Sequence, residues 1–80
     1  MALHYIAVET SDLLESTNVV GVFTYPKLVE RYDLDGEQSG KVIDLDVGDH
    51  TEFKGSELQT ISEKDTLKIQ RIQINEDIVW

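Results

Sequence analysis

Cysteine is absent from this chain of 80 residues, and proline, methionine and tryptophan each occur once. Without cysteine, disulfide staples and thiolate metal sites are excluded, and the absence suits a reducing compartment. A domain of this length buries a small core, so packing, oligomerisation or a partner must supply further stability. Long apolar runs are missing as well, which argues against a transmembrane helix. The opening Met-Ala-Leu-His-Tyr-Ile carries no basic region ahead of an apolar stretch, so no secretory signal is expected. Together these absences set the expectation of one small domain over residues 1–80, cytoplasmic and without membrane contact.

Basic residues are scarce. Seven lysines and arginines face sixteen acids, giving a net charge of −9. Lys27, Arg31, Lys41, Lys54, Lys64, Lys68 and Arg71 are scattered singly. Direct binding of nucleic acid needs clustered cations against the phosphates, so it is not expected. A strong negative field suits a basic partner surface, and it also keeps a small protein soluble.

Catalytic signatures are lacking too. There is no Gly-x-Ser-x-Gly elbow, and Gly36-Glu37-Gln38-Ser39-Gly40 lacks the Lys-Ser/Thr that completes a phosphate-binding loop. Of the two histidines, His4 stands alone and only His50 has nearby acids, Asp49 and Glu52. That spacing makes a weak transition-metal site. Asp33, Asp35, Glu37, Ser39 and Asp44 follow the offsets of a calcium loop, but Gln38 stands where glycine is required and the closing acid is Asp rather than Glu. The expectation is no enzyme, no cofactor and no metal.

What the chain does contain is alternation. Residues 3–9 alternate with both faces mostly apolar, as in a central strand, and residues 19–24 (VVGVFT) are β-branched and aromatic. Gly21 inside that run permits a bulge. In the connection between them, Ser11 is placed to cap a single helical turn. Residues 28–47 read as a hairpin. Two alternating runs flank Gly36 to Gly40, with Lys41, Ile43, Leu45 and Val47 sharing one face and Asp44 and Asp46 the other. The segment 27–32 has a second reading as a short helix. In it Thr24 is the cap, Pro26 sits in the first turn, and Leu28, Val29 and Tyr32 point inward. Residues 48–55 read as a loop or a short edge strand carrying Phe53, and 56–64 as a helical turn capped by Ser56 or a short strand. In residues 66–74 the apolar step from Ile69 to Ile72 is three rather than two, which predicts a bulge near Gln70-Arg71. A turn follows at Asn75-Glu76-Asp77. The sum is a mainly β or α+β domain, a small antiparallel sheet with one or two short helices. Its candidate core is Leu3, Tyr5, Ile6, Val8, Val20, Val22, Phe23, Leu34, Ile43, Leu45, Leu67, Ile69, Ile72 and Ile74.

The acids carry the functional content. Residues 30–57 hold nine acids and three bases. On the hairpin reading the carboxylates gather on one exposed face, spaced somewhat like the phosphates of a nucleic-acid strand. In size and charge the chain resembles small accessory or inhibitor proteins of phages and mobile elements. The expected function is an acidic protein-interaction module, a stoichiometric inhibitor or DNA mimic that binds a basic surface, including that of a nucleic-acid-binding protein. The residues expected at the partner are Asp33, Asp35, Glu37, Asp44, Asp46, Asp49, Glu52 and Trp80. The alternative is a structural subunit, a homo-oligomer assembled through edge strands and the apolar end Ile78-Val79-Trp80.

Overall fold

A computed structural model describes residues 2–74, with Ala2 described in its backbone only. The expected turn at Asn75-Glu76-Asp77 and the apolar end with Trp80 lie outside the described residues. Strand β1 (Ala2–Ser11) turns directly into β2 (Ser16–Phe23). Two helices follow, α1 (Tyr25–Tyr32) and α2 (Gly36–Ile43), then β3 (His50–Lys54), a short 3-10 turn (Gly55–Glu57) and β4 (Asp65–Ile74). The sheet order is β2-β1-β4-β3, and every pairing is antiparallel. The small antiparallel α+β domain expected from composition and alternation is what forms.

β1 is central, as its two apolar faces require. On one face Tyr5 and Ala7 meet Ile69 and Leu67 of β4 and Phe53 of β3, all buried. The helices cover that face with Leu28 and Tyr32 of α1, Val42 of α2 and the flanking Leu34. Burying a side chain such as Leu or Phe is worth roughly 1.5–3 kcal/mol, so this layer contact holds the domain together. The other face, here called the open face, has no helix over it among the described residues.

The bulge permitted by Gly21 sits beside it: Ala7 pairs with Gly21 but Val8 pairs with Val19, leaving Val20 as the extra residue. Ser11 accepts a hydrogen bond from the Leu14 N–H at 3.4 Å inside the β1–β2 turn. Glu15 completes that turn at φ 50°.

The hairpin reading of residues 28–47 is overturned. The helical alternative for 27–32 is what forms, with Pro26 in the first turn of α1 and Leu28 and Tyr32 buried one turn apart. Asp33 ends α1 in the left-handed conformation, its N–H donating to the Val29 carbonyl. The two glycines taken as a turn lie inside α2. Asp35 caps that helix by accepting from the Gln38 N–H at 3.2 Å. Glycine costs about 1 kcal/mol in a helix interior, so α2 is held from outside itself. Val42 is fully buried, and Arg71 of β4 donates to the carbonyls of Ile43, at 2.8 Å, and Leu45 at the C-terminal end.

The core list shifts accordingly. Leu28, Tyr32, Val42, Phe53, Leu58 and Ala7 are buried and were not among the candidates. Ile43 is 50 % exposed, and Leu3 and Val22 are exposed too. The bulge expected near Gln70-Arg71 is absent: β4 pairs with β1 without a shift from Ala2↔Ile74 to Ser11↔Asp65. The step from Ile69 to Ile72 therefore moves from the helix-covered face to the open face.

Residues 50–54 form one of the two edge strands, with Phe53 fully buried. Beyond it the 3-10 turn is closed by Glu57 rather than capped by Ser56. The Glu57 carboxylate accepts from the Lys54 N–H at 2.9 Å. Gly55 lies against the Ser62 carbonyl so closely that a Cβ has no room there.

Candidate functional site

The two helices and the loop after them position six of the seven acids expected at the partner. Asp33, Asp35 and Glu37 cluster where α1 hands over to α2, and two of them have local duties. Asp33 takes the left-handed α1 cap, a position that Asp tolerates better than most residues, and Asp35 is the α2 cap. Glu37 lies in the first turn of α2, where negative charge meets the positive end of the helix dipole.

Asp44, Asp46 and Asp49 gather at the other end. Asp44 is the C-terminal cap of α2, and the Asp49 N–H donates to the Asp46 carbonyl at 3.0 Å. Arg71 fixes this loop from below. Besides its guanidinium contacts, its backbone carbonyl accepts from the Gly48 N–H at 2.9 Å, and its N–H donates to the Asp49 carbonyl at 3.4 Å. Gly48 takes φ 94°, a conformation open to glycine. The two acidic groups are thus separated by the length of α2, about 12 Å for eight residues.

That separation rearranges the chemistry read from spacing. The calcium-loop ligands do not converge, because a helix runs between Asp35 and Asp44. Among the described residues no three of His, Asp and Glu are grouped to hold a metal ion. The ladder of carboxylates along a hairpin is gone as well.

Glu52 stands apart. It projects from β3 onto the open face, where its carboxylate lies 3.5 Å from Lys68 and 3.8 Å from His50. Trp80 lies outside the described residues.

No known protein family, curated protein or solved structure matches this chain.

The helical layer has few cations to offset its acids, and those present are turned elsewhere. Lys41 reaches Glu57 at 3.8 Å and lies 6.0 Å from the Phe53 ring. Arg31 sits over Phe23 and Tyr32, and Lys27 pairs with Glu30 at 3.7 Å. Among the described residues Asp33, Asp35, Glu37, Asp44, Asp46 and Asp49 are all exposed and none has an ion-pair partner.

Among the described residues one titratable group is clearly perturbed. Burial pushes the Tyr32 hydroxyl above its ordinary range. The Glu9 carboxylate, which accepts from it at 3.2 Å, adds to the rise, and Arg31 opposes it. This pair ties α1 to β1 beneath the helices and takes no part in the acidic surface.

Sequence reasoning found the acids but misplaced them, and it missed Arg71 as the residue that holds the second group. A signal for α2 was present in Asp35-Gly36-Glu37-Gln38, an acidic cap followed three residues later by glutamine. Among the described residues no helix is long and apolar enough to cross a membrane.

Proposed function

We propose that this chain is a protein-interaction module that sets its acidic helical layer against a basic surface of a partner protein. The observation that carries the reading is the pair of unpaired acidic groups at the two ends of α2. Asp35 and Glu37 serve the start of α2, but the negative charge of Asp33, Asp44 and Asp46 is poorly explained by stability. Asp33 stands at the C-terminal end of α1 and Asp44 at that of α2, with Asp46 just beyond, where the helix dipole disfavours negative charge. Acids held at unfavourable positions and left without cations suit a complementary partner better than they suit the free fold. The phosphate-ladder form of the idea needed an extended hairpin, so a general basic surface replaces it.

The test uses two baits side by side. One is the native chain. The other carries Asp33→Asn, Glu37→Gln, Asp46→Asn and Asp49→Asn, leaving the Asp35 cap intact. Each is used for capture from the host lysate and eluted with a salt gradient. The expected result is one dominant basic protein, retained by the native bait, released by moderate salt and lost from the amide variant. Equal retention by both baits, or no retained protein, overturns the reading.

A further inference from the structure

Among the described residues the open face of the sheet is a large surface that is not acidic. It carries Ile6 and Val8 of β1, Val19 and Val22 of β2, and Ile72 and Ile74 of β4, with the polar His4 and Gln70 among them. Val19 is 64 % and Val22 51 % exposed. Among the described residues the charged side chains on the face are Glu52, Lys54 and Lys68, two cations and one anion on a chain of net charge −9. A shallow groove of about 270 Å³ runs between Ile6, Val8, His50, Lys68 and Gln70.

We propose that a second copy of this chain packs on the open face, giving a face-to-face homodimer with the two helical layers outermost. Three observations favour a second copy over another occupant. The first is charge. Two molecules this acidic repel one another everywhere except where the local charge is close to zero or positive, and the open face meets that condition. Its own groups are also complementary, because Glu52 of one copy can meet Lys54 or Lys68 of the other across a two-fold axis.

The second is area. Strands 10, 8, 5 and 10 residues long lay down a flat footprint of about 540 Å² at about 3.4 by 4.8 Å per residue. Side-chain relief enlarges the accessible area toward the roughly 800 Å² that each partner gives to a standard interface. The third is the pattern of β4, whose unbroken register puts Leu67 and Ile69 under the helices and Ile72 and Ile74 on the opposite face. β1 is apolar on both faces over one stretch, with Tyr5 and Ala7 under the helices and Ile6 and Val8 on the open face, and such a strand is the mark of a sheet covered on both sides. This inference does not rest on the proposed basic partner, which engages the other layer.

Sedimentation velocity of the native chain at about 100 μM is the test, alongside Val22→Glu and Lys68→Glu. Val22 lies on the edge strand, whereas Lys68 lies two strands away on the same face. The native chain is expected to sediment as a dimer, and each variant is expected to weaken self-association by roughly tenfold or more, as a like or unpaired charge in an interface does. A native monomer overturns the proposal. So does a dimer broken by Val22→Glu but untouched by Lys68→Glu, which is pairing through the β2 edge, or one untouched by both, which is assembly through another surface such as the Trp80 end. A measurement without substitutions stands beside these, using a soluble paramagnetic agent on the methyl groups of the native chain. In the dimer Ile6, Val8, Val22 and Ile72 are shielded while Leu13 and Leu14 are not, and broadening of the first four overturns the proposal.

Discussion

Gly55 has no conformational need to be glycine; it needs only the space. A methyl group there runs into the Ser62 backbone carbonyl, which cannot swing aside as a side chain can. Gly55→Ala is therefore expected to cost about 3 kcal/mol by overpacking, read as a lower urea midpoint at unchanged slope. Tyr32 offers a residue-scale test by pH. Its hydroxyl is raised above the ordinary tyrosine value of 10.0, first by burial and then by Glu9. The unfolded chain thus loses this proton at a lower pH than the folded one does. The contribution to stability is complete below about pH 10 and is lost as pH rises through the folded value. Tyr32→Phe should cost about 1 kcal/mol at neutral pH through the lost bond to Glu9. Its stability should also fall less steeply above pH 10 than that of the native chain.

Elements divide by how much of their signal is local. β1, β2 and β4 were legible because β-branched residues and alternation are properties of the strand itself, and the apolar faces of β1 announced its central place. α2 was not legible. Gly36 and Gly40 weaken its intrinsic helicity, and the residues that hold it come from elsewhere: Val42 is buried in the layer contact, and Arg71 arrives from β4. The run Ile43-Asp44-Leu45-Asp46-Val47 alternates, yet it passes from a helix end into a loop, and only Leu45 of its apolar residues is buried. The same limit applied to β4, where the step from Ile69 to Ile72 marked a second apolar face rather than a bulge. From this dependence of α2 on β4 comes a prediction at the scale of the element. Arg71→Met removes two charge-assisted hydrogen bonds to the helix end and should cost about 2 kcal/mol. In native-state hydrogen exchange, protection should fall over residues 36–43 and change little in β1, because the helix opens before the sheet does. Uniform loss across both would mean that Arg71 supports the whole core rather than α2.

For the whole molecule, charge and function pull in different directions. The net charge of −9 is concentrated on a 9.1 kDa body, and self-repulsion at that density disfavours the compact state. Asp33, Asp44 and Asp46 add to it at helix ends of the wrong polarity. If these acids served only the fold, replacing them would be neutral or harmful. If they serve a partner, they are kept at the expense of stability, and removing them should help the free protein. The triple variant Asp33→Asn, Asp44→Asn, Asp46→Asn is therefore expected to melt at a higher temperature than the native chain in 10 mM salt. Asparagine also tolerates the left-handed conformation at position 33, so the exchange costs little in backbone strain. The gain should shrink at 150 mM salt, where the screening length of about 8 Å is shorter than α2, and should largely vanish near 1 M. The same variant should bind the basic partner more weakly at every salt concentration. A variant that melts lower than the native chain at low salt would show that the three carboxylates stabilise the helix ends through contacts of their own, and the argument that they are held for a partner would then lose its main support.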